Sequence, residues 1–239
     1  ARRFRIPRKK AESEEITSFY FQPLDGEPLL DFQPGQYIGL SLDIGGEEVR
    51  RTYSLSDAPN GREYRISVKR EPEGKVSNYL HDRLNVGDEL DLFPPAGDFV
   101  LRSGDKPLAL ITAGVGITPA LAMLKPALES GREVHFIHCA RHGGVHAFRE
   151  WVEAQSEAHP QLKHYFCYSE PRAQDAAHVE GFLSQELLAD WLPEDRDLDA
   201  YFLGPKPFMV QVKRHLRAIG VPEQQSHYEF FGPASALEV

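Results

Sequence analysis

The chain has 239 residues, enough for one large or two modest domains and for a core burying roughly 70–75% of the surface an unfolded chain exposes. With 41% hydrophobic residues, a mean hydropathy of -0.43 and no apolar run near the roughly 20 residues a bilayer span needs, it reads as a soluble globular protein and not a membrane one. A net charge of -9 argues against a nucleic-acid binder, which needs a basic surface to neutralise phosphates.

From the start to Phe99 the sequence consists of short alternating or β-rich runs broken by turn signals. The pattern predicts strands over Arg3 to Lys10, Ile16 to Gln22, Tyr37 to Leu42, Arg51 to Ser56, Glu63 to Lys69 and Glu89 to Phe93. Asp25-Gly26, Gly45-Gly46, Asn60-Gly61 and Pro94-Pro95 mark the turns between them, and one helix is expected from Val76 to Leu84. Short strands at regular spacing predict an antiparallel barrel or sandwich. The basic start, with Arg2, Arg3, Arg5, Arg8, Lys9 and Lys10 alternating with Phe4 and Ile6, reads as the wet face of a strand.

After Asp105 the pattern turns to strand then helix. Leu108 to Thr112 pairs with Pro119 to Glu129, Val134 to Cys139 with Ala147 to Glu157, Lys163 to Tyr168 with Ser184 to Trp191, and Ala200 to Leu203 with Pro207 to Ile219. Repeated β–α units predict a parallel sheet covered on both faces. The division therefore falls at residue 105, with a β-barrel over 1–105 and an α/β domain over 106–239.

Cys139 and Cys167 are the only cysteines, so no four-thiolate iron–sulfur centre fits in this chain. Both stand in apolar strand-like runs and read as buried reduced thiols, which suits a cytoplasmic address. His138, His142 and His146 have a four-residue spacing, but Gly143-Gly144 interrupts any helix. They read as solvated loop histidines and no metal site is expected. The first residue is Ala1, which reads as the far side of a domain junction.

Three motifs carry chemistry. Arg51-Thr52-Tyr53-Ser54 offers a planar guanidinium fork, an aromatic ring and a small hydroxyl at the end of a strand, groups suited to a phosphate-bearing flat heterocycle. Strand alternation puts Arg51 and Tyr53 on one face and Ser54 on the other, so a bend is needed there. Gly74-Lys75-Val76-Ser77 places a glycine before a short helix, where backbone N–H groups attract an anion. The apolar strand Leu108 to Thr112 runs into Gly114-Val115-Gly116-Ile117-Thr118-Pro119, a tight nucleotide loop in which Thr118 is expected to cap the next helix and Pro119 to begin it. The chain closes on Tyr228-Glu229-Phe230-Phe231-Gly232-Pro233.

In this order the motifs resemble the flavin site, the nicotinamide-nucleotide site and the flavin-covering tail of the ferredoxin-NADP reductase superfamily. The likeness is greatest to the reductase half of bacterial flavohemoglobins, through Pro34-Gly35-Gln36-Tyr37, Pro95-Ala96-Gly97-Asp98-Phe99 and Val145-His146-Ala147-Phe148 as well. The resemblance implies FAD contacts at Tyr37, Arg51, Thr52, Tyr53, Ser54, Gly74, Val76 and Ser77. It implies nucleotide contacts at Gly114, Val115, Gly116, Ile117, Thr118, Pro119, Gly204 and Pro205, and a covering tail of Glu229, Phe230, Phe231, Gly232 and Pro233. Tyr53, Ser54 and Glu229 would be the catalytic groups. Leu203 stands where relatives usually carry cysteine, which implies altered nicotinamide positioning, while Phe208-Met209 reads as core packing.

The implied activity is oxidation of NADH, or of NADPH, by FAD, with electrons passed to a haem held in a partner or an N-terminal globin domain for nitric oxide dioxygenation. Ser169-Glu170, where NADPH-selective relatives tend to place Ser-Arg, favours NADH, although Arg141 and Arg172 are candidates to compensate. A free-standing flavin or ferric reductase with a diffusible acceptor is the alternative within the same chemistry. A non-catalytic nucleotide-sensing module is the alternative from another class, and bleaching of the flavin by NADH separates it from the other two.

Overall fold

Alternation of side chains writes the first strand of the computed structural model, which describes residues 1–231. In β1 (Arg2–Ala11) Phe4 and Ile6 are buried while Arg3 and Arg5 face water, as the wet-face reading expects. Lys9 departs from that reading: it is half-buried, and its ammonium donates to the Leu80, His81 and Leu84 carbonyls, closing the end of a helix. With β2 (Ile16–Pro23), β3 (Tyr37–Ile44), β4 (Glu47–Ser54), β5 (Tyr64–Lys69) and β6 (Glu89–Leu92), β1 builds a six-stranded antiparallel sheet in the order β4-β3-β6-β1-β2-β5. Gly45 and Gly46, at φ 64 and 83, make the two-residue turn between β3 and β4 that only glycine enters without strain.

The edge strands β4 and β5 approach at the Leu55–Ile66 bridge, which curls the sheet into a barrel around Phe19, Phe21, Ile38, Leu40 and Ile66. Helix α1 (Lys75–Arg83) plugs one end with Val76 and Leu80.

The second sheet is parallel, in the order β10-β9-β8-β7-β11-β12. Its strands are β7 (Leu108–Ala113), β8 (Val134–Ala140), β9 (Leu162–Tyr168), β10 (Val179–Glu180), β11 (Asp199–Leu203) and β12 (Ser226–Tyr228). Every residue of β7 from Leu108 to Thr112 is buried because both faces are covered. Leu108 and Leu110 pack toward α2 (Ile117–Glu129) and α3 (Arg149–Ala158), and Ala109 and Ile111 toward α4 (Gln185–Trp191) and α5 (Lys206–Ile219). Each buried Leu or Ile side chain contributes about 1.5–3 kcal/mol of transfer free energy.

Several boundaries differ from the sequence expectations. The strand carrying Arg51 starts earlier, at Glu47, because the glycine turn before it sets the register. Thr118 does not cap α2: the chain enters through a 3-10 turn over Gly114–Gly116, so Gly116 is the cap, Ile117 begins the helix and Pro119 falls inside its first turn. The Thr118 hydroxyl donates instead to the Val115 carbonyl at 3.1 Å. Helix α3 starts at Arg149, after Phe148 turns the chain at a φ of 65. The short strands β10 and β12 carry too little pattern to be read from sequence.

Candidate functional site

The end of β4 forms one wall of a cavity of about 680 Å³ in which Arg51, Thr52, Tyr53 and Ser54 all take part. The bend that strand alternation demands is there. Ser54 is the last residue of β4 paired to β3, at Tyr37, and the next residue, Leu55, bridges to Ile66 of β5. Arg51 is exposed and donates to the Arg50 carbonyl at 2.7 Å, leaving most of its donor fork toward the cavity. Burial pushes the Tyr53 phenol up to about 12, against the pull of Arg51, so it stays a neutral donor at any physiological pH.

Across the cavity stands α1. Gly74 caps it without a side-chain hydrogen bond, and its first turn holds no acidic residue, so its leading amides are open to an anion. A Cβ on Gly74 would sit 2.5 Å from the Ser77 hydroxyl, itself the acceptor for the Glu71 amide at 3.0 Å. Ser77 lines the cavity, whereas the Val76 side chain is in the barrel core, leaving only its backbone for a ligand. An open helix end, a guanidinium and the aromatic groups Tyr37, Tyr53, Phe230 and Phe231 fit the phosphates and flat ring of FAD.

The closing segment reaches this cavity from the other domain. Because β12 pairs with β11, Glu229, Phe230 and Phe231 arrive opposite Tyr53. Glu229 also lines a neighbouring cavity of about 470 Å³ with Asp98 and His227. Burial and the Asp98 carboxylate push Glu229 up to about 7, so it exchanges a proton near neutrality. Gly232 and Pro233 lie outside the described residues.

Gly114, Val115 and Pro205 line a further cavity, of about 540 Å³, at the carboxyl edge of the parallel sheet. Gly114 has a φ of 56, and Gly116 touches the Leu203 carbonyl so closely that no side chain fits there. The first turn of α2 is uncapped by side chains and free of acids, although its leading amide, at Ile117, donates back to the Gly114 and Val115 carbonyls of the 3-10 turn. Ile117, Thr118 and Pro119 are buried, with Thr118 reaching the flavin-side cavity. Leu203 is also buried, so its departure from cysteine places an aliphatic group in the core. Gly204 has no room for a side chain, since a Cβ there would meet the Phe208 ring at 2.7 Å and the Ala113 methyl at 3.1 Å. Met209 is core and Phe208 packs against the same cluster, as the core-packing expectation for that pair has it, while Phe208 also lines the nucleotide cavity.

The histidine expectation is overturned. His138, His142 and His146 are all buried. His138 lies on β8 with its Nδ1 2.7 Å from the Thr112 hydroxyl, and its ring is 4.6 Å from that of His146, which meets the Tyr168 hydroxyl at 2.6 Å. The glycines break the helix, as expected, but they fold the loop back onto the sheet instead of out into water. Cys167 is buried as expected, whereas Cys139 is half-buried and both line the nucleotide cavity. Sequence reasoning did not name Ser67, Lys69 and Glu71 as site residues, yet they line the flavin-side cavity from β5 and the turn after it.

Comparison with known proteins places these cavities in context. Residues 3–101 match the oxidoreductase FAD-binding domain family and residues 110–214 the oxidoreductase NAD-binding domain family. A flavohemoprotein of Pseudomonas aeruginosa is 76% identical over 237 residues, 99% of this chain and 60% of its own length. One of Pseudomonas putida is 66% identical over the same share of each. The chain thus spans about 60% of the length of these relatives. The crystal structure of the flavohem-like FAD/NAD-binding domain of nitric oxide dioxygenase from Vibrio cholerae superposes with a TM-score of 0.89 at 38% identity, covering 98% of this chain and 99% of that one.

Proposed function

The chain belongs to the flavohemoprotein family, as its FAD- and NAD-binding oxidoreductase part, and from that premise we propose that it takes hydride from NADH and passes electrons singly to a globin haem for nitric oxide dioxygenation. The observation that carries this reading is that the two large cavities adjoin, since Lys69 and Val115 line both. A dinucleotide laid along the sheet edge delivers its nicotinamide end where Tyr53, Ser54 and Phe231 stand. When bound, FAD supplies the conversion between a two-electron donor and a one-electron haem acceptor.

The chain's own groups divide the remaining tasks. Arg51 and the open end of α1 hold phosphate, with Tyr37, Thr52, Gly74 and the Val76 backbone shaping the cradle. Tyr53 packs its ring on the heterocycle. Ser54, buried at the bend, presents a hydroxyl without the bulk that would block hydride approach. Glu229 takes up and releases a proton at its carboxyl oxygen between the flavin-side cavity and the neighbouring one that Asp98 lines. Phe230 and Phe231 exclude water from the ring, and Phe231, 49% exposed, is the covering group nearest a partner. Gly114, Gly116 and the end of α2 receive the dinucleotide phosphates, with Gly204 and Pro205 flanking the nicotinamide. We place the division of the two halves at residue 105, and the free Cys139 and Cys167 thiols support a cytoplasmic setting.

The test is anaerobic mixing of the FAD-loaded chain with NADH and the ferric globin domain of a flavohemoprotein relative. The reading requires the haem to become ferrous. A haem that stays ferric while the flavin is bleached replaces it with a reductase serving a diffusible acceptor.

A further inference from the structure

The two cysteines of the chain meet at the floor of the nucleotide cavity. Cys139 on β8 and Cys167 on β9 are register partners on adjacent parallel strands, so their side chains stand on the same face of the sheet, in a row that begins with Ala113 of β7. All three residues line the cavity. The Cys139 thiol donates to the Cys167 sulfur. That hydrogen bond holds Cys139 up and Cys167 down, with burial adding to the first effect and opposing the second.

Hydride transfer makes no use of this pair, and its placement suits another reaction. Neighbouring strands lie about 4.7–4.9 Å apart, inside the roughly 4.4–6.8 Å between Cα atoms that a disulfide spans. A bridge would therefore join strands that already pair, without moving the backbone. A metal ion would find two ligands only, because no group of three or more His, Cys, Asp or Glu side chains able to hold one occurs among the described residues. Cys167 is only 1% exposed and Cys139 is half-buried, so a reagent reaches the sulfurs through the cavity that both line.

We propose that Cys139 and Cys167 are a redox modification site, converted to a disulfide by hydrogen peroxide and shielded from it by a nucleotide in the cavity; the shielding rests on the nicotinamide-reductase reading above. The ionised sulfur of the pair attacks one peroxide oxygen and breaks the O–O bond, leaving a sulfenic acid and, with one proton, a water. The neighbouring thiol sulfur then attacks the sulfenic sulfur, so that the S–S bond forms and a second water departs. Two thiol protons and two electrons leave the protein, and one peroxide becomes two waters. The bridge ties β8 to β9 just before Arg141 and Ser169, which continue the cavity wall. A bound nucleotide covers the sulfurs, so oxidation falls on chains whose cavity is empty.

Limited oxidation of the FAD-loaded chain by hydrogen peroxide, followed by alkylation of free thiols and mass spectrometry, tests this. The chain should become lighter by two hydrogens, resist alkylation at both cysteines, yield a linked Cys139–Cys167 peptide on digestion, and regain both thiols in dithiothreitol. The same digest of Cys167→Ser, which cannot close the bridge, sets the background. NAD+ at about ten times its dissociation constant leaves roughly a tenth of the chains open, and should slow the bridging about tenfold. Thiols that stay open to alkylation, a link between two chains in place of one within a chain, or a sulfinic acid without a bridge overturns the redox pair. Equal rates with and without bound NAD+ overturn the shielding. If calorimetry shows no NAD+ binding, the nucleotide reading fails on its own, and the linked peptide still decides whether the pair is a redox site.

Discussion

Gly116 meets Leu203 backbone to backbone: a Cβ on Gly116 would lie 2.5 Å from the Leu203 carbonyl oxygen and 2.8 Å from the Gly204 amide nitrogen. The contact joins the loop after β7 to the loop after β11, the two sides of the crevice at the carboxyl edge of the parallel sheet, and no flexible side chain is there to yield. Gly116→Ala must push the loops apart. The expected result is a kcat/KM for NADH lower by on the order of 10- to 100-fold, the scale of a misplacement near an ångström, with FAD content retained. Wild-type kinetics in this variant would show that the close approach has no part in nucleotide binding.

Arg51 is the one member of the flavin motif whose charge projects into the cavity from an exposed position. Arg51→Ala should weaken FAD binding by roughly tenfold or more, the scale of a charge-assisted phosphate contact, and the purified variant should lose flavin on desalting. Equal flavin content and an equal dissociation constant would remove Arg51 from the site.

Glu229 exchanges its proton at about 7 because of burial first and Asp98 second. It is protonated below that pH and ionised above it. Flavin turnover that draws on this proton should fall as pH rises through 7, and Glu229→Gln should flatten the inflection. Asp98→Asn removes a like charge and should move the inflection to lower pH. A profile identical in all three proteins would show that neither carboxyl governs the step.

The buried histidines make the fold sensitive to acid. Burial holds His138 down at about 3, and burial with the neighbouring His138 and Arg149 charges holds His146 down at about 2. An unfolded chain binds these protons near pH 6.5, so their neutral burial costs nothing above that pH. Stability should then decline as pH falls from 6.5 toward 3, by about 1.4 kcal/mol per pH unit for each imidazole. Urea unfolding midpoints measured across that range check the slope. His138→Gln combined with His146→Gln should flatten it, and an unaltered slope would place the acid sensitivity elsewhere.

Legibility in the sequence followed how local each feature is. Arg51 to Ser54 and Gly114 to Pro119 each sit in one short run whose chemistry the chain carries with it, and the structure brings both runs to cavity walls. The β7 strand is readable because a strand covered on both faces has no polar alternation to obscure it. The histidines are misread from spacing because their burial depends on His146 packing against β8 across a loop, a contact absent from the spacing itself. Thr118 is misplaced by one helical start because a 3-10 turn adds residues before the helix that propensity does not announce. Ser67, Lys69 and the Cys139–Cys167 pair come from separate strands, and only the folded register joins them.

The proposed function of the two adjoining cavities depends on electrons moving from nicotinamide through FAD to a one-electron acceptor. Anaerobic stopped-flow absorbance of the FAD-loaded chain, mixed first with one equivalent of NADH and then with ferricyanide, follows that transfer itself. The flavin band should bleach on the first mixing and return in full on the second, with two ferricyanide ions reduced per NADH. A flavin band that persists after NADH binds would refute the transfer and leave a protein that senses the nucleotide without oxidising it.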